Sequence, residues 1–250
     1  MGILKEKEKS LFESIKEDLK RKGITKIVSD GVVSEDTWEL VKIRCLFLLK
    51  EAVGENDDFS LTDFLAKGAR YKGDKTWCNV ARWIYCIFKQ LDNPSFPIHI
   101  DYYDDVRKVG LTPNGRKECL KYIAAVNVKK EPGKSKTNTK ILKEQFKQYY
   151  AKWIPKQLKM YEGINLIVCC GAGVKECLID VFEETFAEKY NFKNWKVFEY
   201  PGNYTARILY YELKNGTVIV DFWHPAARTS NEKKNNVFTR LVYETVIKKK

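Results

Sequence analysis

Four short apolar runs, spaced by stretches of helical periodicity, constrain the fold of this chain more than any other feature. They cover residues 43–49, 122–126, 164–170 and 217–220. Runs of about four to eight residues that are apolar on both faces suit strands buried in a parallel sheet with helices over it. Helical periodicity fills residues 75–91, 139–161 and 173–189 between the runs, and the last helix is expected over 231–248. Strand–helix alternation of this kind predicts an α/β fold, a three-layer α/β/α arrangement with a central, mostly parallel sheet. Residues 206–213 and 217–222, split by Asn215-Gly216, carry the turn signal of a hairpin, and 195–199 is a further short strand. At the N-terminus, residues 4–22 alternate Lys and Glu around Leu11, Phe12, Ile15 and Leu19, an amphipathic helix, and Ser34-Glu35-Asp36 opens a second, short one. Residues 101–120 are expected to be helical in part.

With 250 residues and 44% hydrophobic content, the chain can bury a sizeable core. The division expected is a helical extension, residues 1–40, packed on one α/β domain, residues 41–250. The net charge of +12 favours a polyanionic partner. Nucleic acid fits that charge; no membrane is expected, because the sequence has neither a hydrophobic span nor a signal peptide. The seven cysteines form no Cys-x-x-Cys pair, and several lie in apolar runs. Reduced thiols in a cytoplasmic protein follow, with no metal and no cofactor.

Three strand ends carry polar groups. Residues 43–49 stop at Lys50-Glu51, residues 122–126 at Asn127, and the last run leads through Phe222-Trp223 to His224-Pro225. In open α/β sheets ligands bind at the carboxyl ends of the strands. Singly, each residue is a strand-terminating polar group; together a carboxylate, a carboxamide and an imidazole form a candidate site. The sequence holds only one other histidine, His99. Two nucleotide-binding patterns fail. Gly133-Lys134-Ser135 lacks the first glycine of a phosphate-binding loop, which would fall at Val128, and Gly171-Ala172-Gly173 meets Glu176 where its third glycine belongs.

Over residues 40–245 the chain resembles the uracil-DNA glycosylase superfamily through three motifs in that family's order. Leu48-Leu49-Lys50-Glu51-Ala52-Val53-Gly54 is similar to the segment that carries the water-activating carboxylate. Ala124-Ala125-Val126-Asn127 is similar to the strand that ends in the base-reading Asn, and His224-Pro225-Ala226-Ala227-Arg228 to the loop with the catalytic His and the duplex wedge. Leu166-Ile167-Val168-Cys169-Cys170-Gly171 stands where the family has a strand ending in Gly.

The resemblance implies a monofunctional DNA glycosylase acting on double-stranded DNA as a monomer. Glu51 would orient water beneath the sugar, and His224 would donate a hydrogen bond to the departing base. Asn127 would read the flipped base. Arg228 takes the wedge position, with a phosphate clamp as its other reading. Lys129, Lys130, Lys134, Ser135 and Lys136 in the loop after Asn127 would grip phosphates, or simply be solvated. Phe64 and Tyr71 are candidates to stack on the base, while Trp77 suits the core. Where uracil-specific relatives place Pro-Tyr against the pyrimidine 5-position, this chain has Ala52-Val53, and Glu51 replaces Asp. The wider pocket suits a 5-substituted pyrimidine, such as glucosylated hydroxymethylcytosine in phage DNA. The alternatives are a uracil or damaged-base repair glycosylase, and a catalytically inactive DNA-binding member of the fold.

Overall fold

A computed structural model describes residues 2–53, 59–69, 74–93, 103–133, 138–201 and 205–249. A seven-stranded sheet organises it. In chain order the strands are β1 (Gly31–Val32), β2 (Cys45–Leu49), β3 (Ile123–Asn127), β4 (Leu166–Cys170), β5 (Lys196–Glu199), β6 (Arg207–Glu212) and β7 (Val218–Phe222). Across the sheet the order is β1-β3-β2-β4-β7-β6-β5. The four central strands β3, β2, β4 and β7 run parallel, and β1, β5 and β6 pair antiparallel at the edges. The expected hairpin is β6–β7.

Side chains alternate between two cores because strand residues alternate faces. Phe47, Leu49, Ala125, Val168, Val220 and Phe222 pack on one face under helices α3 (Leu61–Ala66), α4 (Lys75–Asp92), α6 (Pro113–Leu120) and α11 (Asn231–Val242). Helix α5 (Tyr103–Leu111) packs on α4 and α6. Leu46, Leu48, Val126, Ile167, Cys169 and Ile219 pack on the other face under α1 (Ile3–Lys20), α7 (Thr139–Gln145), α8 (Ile154–Lys159) and α9 (Val174–Asp180). Helix α10 (Phe182–Phe186) completes that layer, adding Phe182 to its core. The fold is therefore α/β with three layers. Its first core stacks Trp83 on Phe238 with centroids 4.5 Å apart.

The first forty residues contribute more than a helix laid on the surface. Phe12, Ile15 and Leu19 of α1 enter the second core, β1 pairs with β3, and Ser34 precedes helix α2 (Glu35–Leu40). The long helix expected over 139–161 is broken. A π-helical turn spans Phe146–Tyr150, and α8 begins with Ile154-Pro155, where the proline lacks the amide a continuing helix would use. The stretch 173–189 likewise divides at Val181 into α9 and α10. All seven cysteines are free and buried, and burial pushes the Cys86 and Cys119 thiols up to about 11 and about 12. Among the described residues, no helix is long and apolar enough to cross a membrane.

Candidate active site

Strand register brings the three polar strand ends together. Leu49 lies opposite Asn127, and Cys170 opposite Phe222. Leu49, Ala125 and Phe222 all face the first core, and Glu51, Asn127 and His224 each stand two residues further along. Period-two alternation turns Asn127, the last residue of β3, toward the α3–α4 side, and Glu51 and His224, past their strand ends, reach the same side. There they line one cavity of about 310 Å³, together with Val53 and Phe64. This volume lies at the lower end of the roughly 300–1,000 Å³ usual for small-molecule sites.

Two glycines make room for the side chains of Glu51 and His224. A Cβ on Gly133 would run into the Glu51 carboxyl group, and one on Gly171 would sit 3.1 Å from the Cβ of His224. Gly171 also adopts a φ of +92°, which side chains rarely tolerate. The 131–133 loop is tied down where Gly133 N–H donates to Ala52 O at 2.8 Å.

His224 is half-buried, and its Nδ1 accepts a hydrogen bond from Ala226 N–H at 3.2 Å. With Nδ1 occupied as an acceptor, the neutral ring carries its proton on Nε2. Burial lowers the imidazole pKa below its usual value, and the nearby Lys50 and Lys234 charges lower it further. The site therefore favours a neutral imidazole that donates.

Asn127 is 1% exposed, and its backbone N–H donates to Asp30 Oδ2 at 2.8 Å. Its side-chain Nδ2 is buried and, among the described residues, has no hydrogen-bond partner. A buried unsatisfied donor costs about 1–3 kcal/mol, which a ligand acceptor would recover.

Several expectations about basic residues need correction. Lys130 cannot grip a phosphate: it is 0% exposed, and its Nζ lies 2.8 Å from Asp30 Oδ1 and 2.7 Å from Gln157 Oε1. The loop folds inward, with Lys130 O accepting from Val28 N–H, and places the ammonium on a buried carboxylate and amide, where burial lowers its pKa despite the Asp30 charge. Lys129 does not project into solvent either. It is 13% exposed and pairs with Glu51 at 3.2 Å, beside the cavity. Arg228 is exposed, beyond the cavity lining. Val53 is 71% exposed at the rim and bridges to Gly133, so the wall at that position is low. Tyr71, Lys134, Ser135, Lys136 and His99 lie outside the described residues.

Phe59 and Asp74 are lining groups that the sequence reading missed. Phe59 joins Phe64, with ring centroids 5.5 Å apart, as an aromatic pair beside the cavity. Asp74 caps α4 by accepting from the Thr76 and Trp77 amides at 3.1 and 3.3 Å while also lining the cavity. Burial raises the Asp74 pKa, although the cap bonds oppose the shift. Its signal was the Asp74-Lys75-Thr76 cap ahead of a helical run. Trp77 lines the cavity too, while 5% exposed and part of the first core.

Among the described residues, no cluster of three or more His, Cys, Asp or Glu side chains is placed to hold a metal ion. The arrangement offers a carboxylate, a neutral imidazole donor and an unpaired carboxamide around an aromatic-lined cavity. Comparison with protein-family models and with curated proteins returns no match.

Proposed function

We propose that this protein is a monofunctional DNA glycosylase of the uracil-DNA glycosylase type, which flips a modified pyrimidine out of the duplex and hydrolyses its glycosidic bond. The observation that carries the reading is the convergence of Glu51, Asn127 and His224 on one cavity, with the Asn127 amide unpaired. Breaking an N-glycosidic bond leaves a cation-like sugar and an anionic base. Glu51 stabilises the first and orients water, and the Nε2–H of His224 stabilises the second. A neutral donor is matched to an anion that forms only in the transition state. Asn127 Nδ2 supplies a donor to the edge of the base, while Phe59 and Phe64 offer ring faces for stacking. The net charge of +12 supports DNA as the carrier of that base.

The low rim at Ala52-Val53 favours a pyrimidine with a bulky 5-substituent, such as glucosylated hydroxymethylcytosine in phage DNA. Asp74 adds an acceptor suited to an exocyclic amine or a sugar hydroxyl. Replacing Glu51 or His224 with Ala abolishes excision and leaves DNA binding largely intact; full activity in both variants overturns the assignment. One observation favours a second reading, an inactive DNA-binding member of the fold: Lys129 sets a cation 3.2 Å from Glu51, against the charge that the carboxylate would stabilise. That reading predicts DNA retention without abasic sites, and no gain on Lys129→Met. The glycosylase reading predicts that Lys129→Met retains excision.

A further inference from the structure

The loop that carries His224 is held by a buried cation. Lys234, on α11, is 1% exposed, and its Nζ donates to Pro225 O at 2.6 Å and to Ala227 O at 2.8 Å. Among the described residues, no carboxylate lies within ion-pair distance of it. A second grip comes from α4. Asn79, also 1% exposed, donates through Nδ2 to Pro225 O at 2.7 Å and to Asn231 Oδ1 at 3.0 Å. Arg82 Nη1 fixes that amide by donating to Asn79 Oδ1 at 2.7 Å.

Pro225 O belongs to the same peptide plane as the Ala226 N–H, and in a trans peptide the two point in opposite directions. Holding the carbonyl toward Lys234 and Asn79 therefore aims the amide the other way, and that amide reaches His224 Nδ1 at 3.2 Å. The loop is closed further by Ala227 N–H donating to His224 O at 2.8 Å.

We propose that Lys234 and Asn79 are positioning residues that lock the Pro225–Ala226 peptide and so fix the tautomer and orientation of His224. The inference deepens the glycosylase reading and takes His224's donor role from it. A cation is a costly choice for packing alone, since an apolar side chain of similar volume would avoid its desolvation. The cost is visible: burial, with Lys75 and Arg82 nearby, pushes the Lys234 pKa down to about 8. The charge also reaches the imidazole, where Lys234 and Lys50 both help to disfavour protonation. Glu51, Asp74 and Asn127 line the same cavity as His224, while Gly171 backs it from the end of β4.

The chain has only two histidines, so ring ¹⁵N spectra resolve His224 once a His99→Gln variant assigns the other. Wild type should show His224 protonated on Nε2 alone above its titration. Lys234→Met should shift it toward a mixture of tautomers, raise its titration midpoint, and lower kcat about 10- to 100-fold with KM unchanged. Asn79→Ala should give the same spectral change to a smaller degree, and serves as the test if Lys234→Met does not fold. An unchanged His224 spectrum in a folded variant overturns the inference. The spectra need no substrate: if His224 responds but wild type excises no base, the clasp stands and the glycosylase reading fails.

Discussion

Two polar clusters meet at Asn127, and they are built in opposite ways. On the α1 side, Glu8, Asp30, Lys130, Gln157 and Tyr161 form a closed network. Lys130 bonds both Asp30 oxygens, at 2.8 and 3.0 Å, and Gln157 Nε2 donates to Asp30 Oδ1 at 2.8 Å. Tyr161 Oη donates to Glu8 Oε1 at 2.8 Å, and Glu8 in turn accepts from Val32 N–H at 2.8 Å. On the cavity side, the Asn127 Nδ2 has no hydrogen-bond partner among the described residues, and His224 spends Nδ1 on the Ala226 N–H. The first cluster spends its hydrogen bonds on holding the backbone, including the Asn127 N–H; the second keeps a donor in reserve. A satisfied buried network rigidifies a fold, whereas an unsatisfied buried donor costs stability unless something binds it.

The contrast is broken most strongly at Lys129 and Lys130, neighbours in sequence assigned to opposite clusters. Lys130→Met leaves the Asp30 carboxylate buried without its cation and should cost about 3–5 kcal/mol in urea unfolding. Lys129→Met removes one partner of Glu51, a side chain only 4% exposed that lines the cavity, and should cost less, about 1–3 kcal/mol. Equal losses would remove the distinction between the clusters. Asn127→Ala sharpens it from the other side. Excision should fall about 100-fold, while stability changes by no more than about 1 kcal/mol, because the amide has no side-chain bond to lose. A large loss of stability would show that the side chain belongs to the closed network.

Gly133→Ala is subtler. The added methyl first meets the far end of the Glu51 side chain, so the fold should tolerate it while the carboxylate moves, with excision falling about tenfold. A normal rate would show that Glu51 needs no fixed placement. The smallest effect is in pH. Because the folded state lowers the His224 pKa below 6.5, the unfolded chain takes up the proton first. Its contribution to stability is fully present above pH 6.5 and is lost as the pH falls toward the folded value. Urea midpoints of wild type and His224→Gln should therefore converge with acidification over that window, and a pH-independent gap would contradict the buried, neutral imidazole.

The difference between the clusters also marks what the sequence could convey. Strands β2, β3, β4 and β7 were legible because each is built on an apolar run, and Glu51, Asn127 and His224 were legible because each stands just past such a run. The closed network was not. Asp30 meets Lys130 across 100 positions, and β1 is two residues long, too short for any periodicity. Nothing local distinguishes Lys130 from Lys129; a loop that turns inward does. The break between α7 and α8 had a local sign in Pro155, but the apolar periodicity on either side concealed it. Phe59 and Asp74 reach the cavity only through the packing of α3 and α4 over the strand ends.

The central claim is best tested by base release. Purified protein is incubated with uracil-containing DNA, unmodified DNA and phage DNA carrying glucosylated hydroxymethylcytosine, and alkali then reveals abasic sites. The account predicts abasic sites in the modified phage DNA alone, lost in Glu51→Ala and His224→Ala. Cleavage of the uracil substrate instead would make the protein a repair glycosylase with a different pocket preference. Retention of DNA with no abasic site on any substrate would contradict the account and leave a DNA-binding protein on this fold.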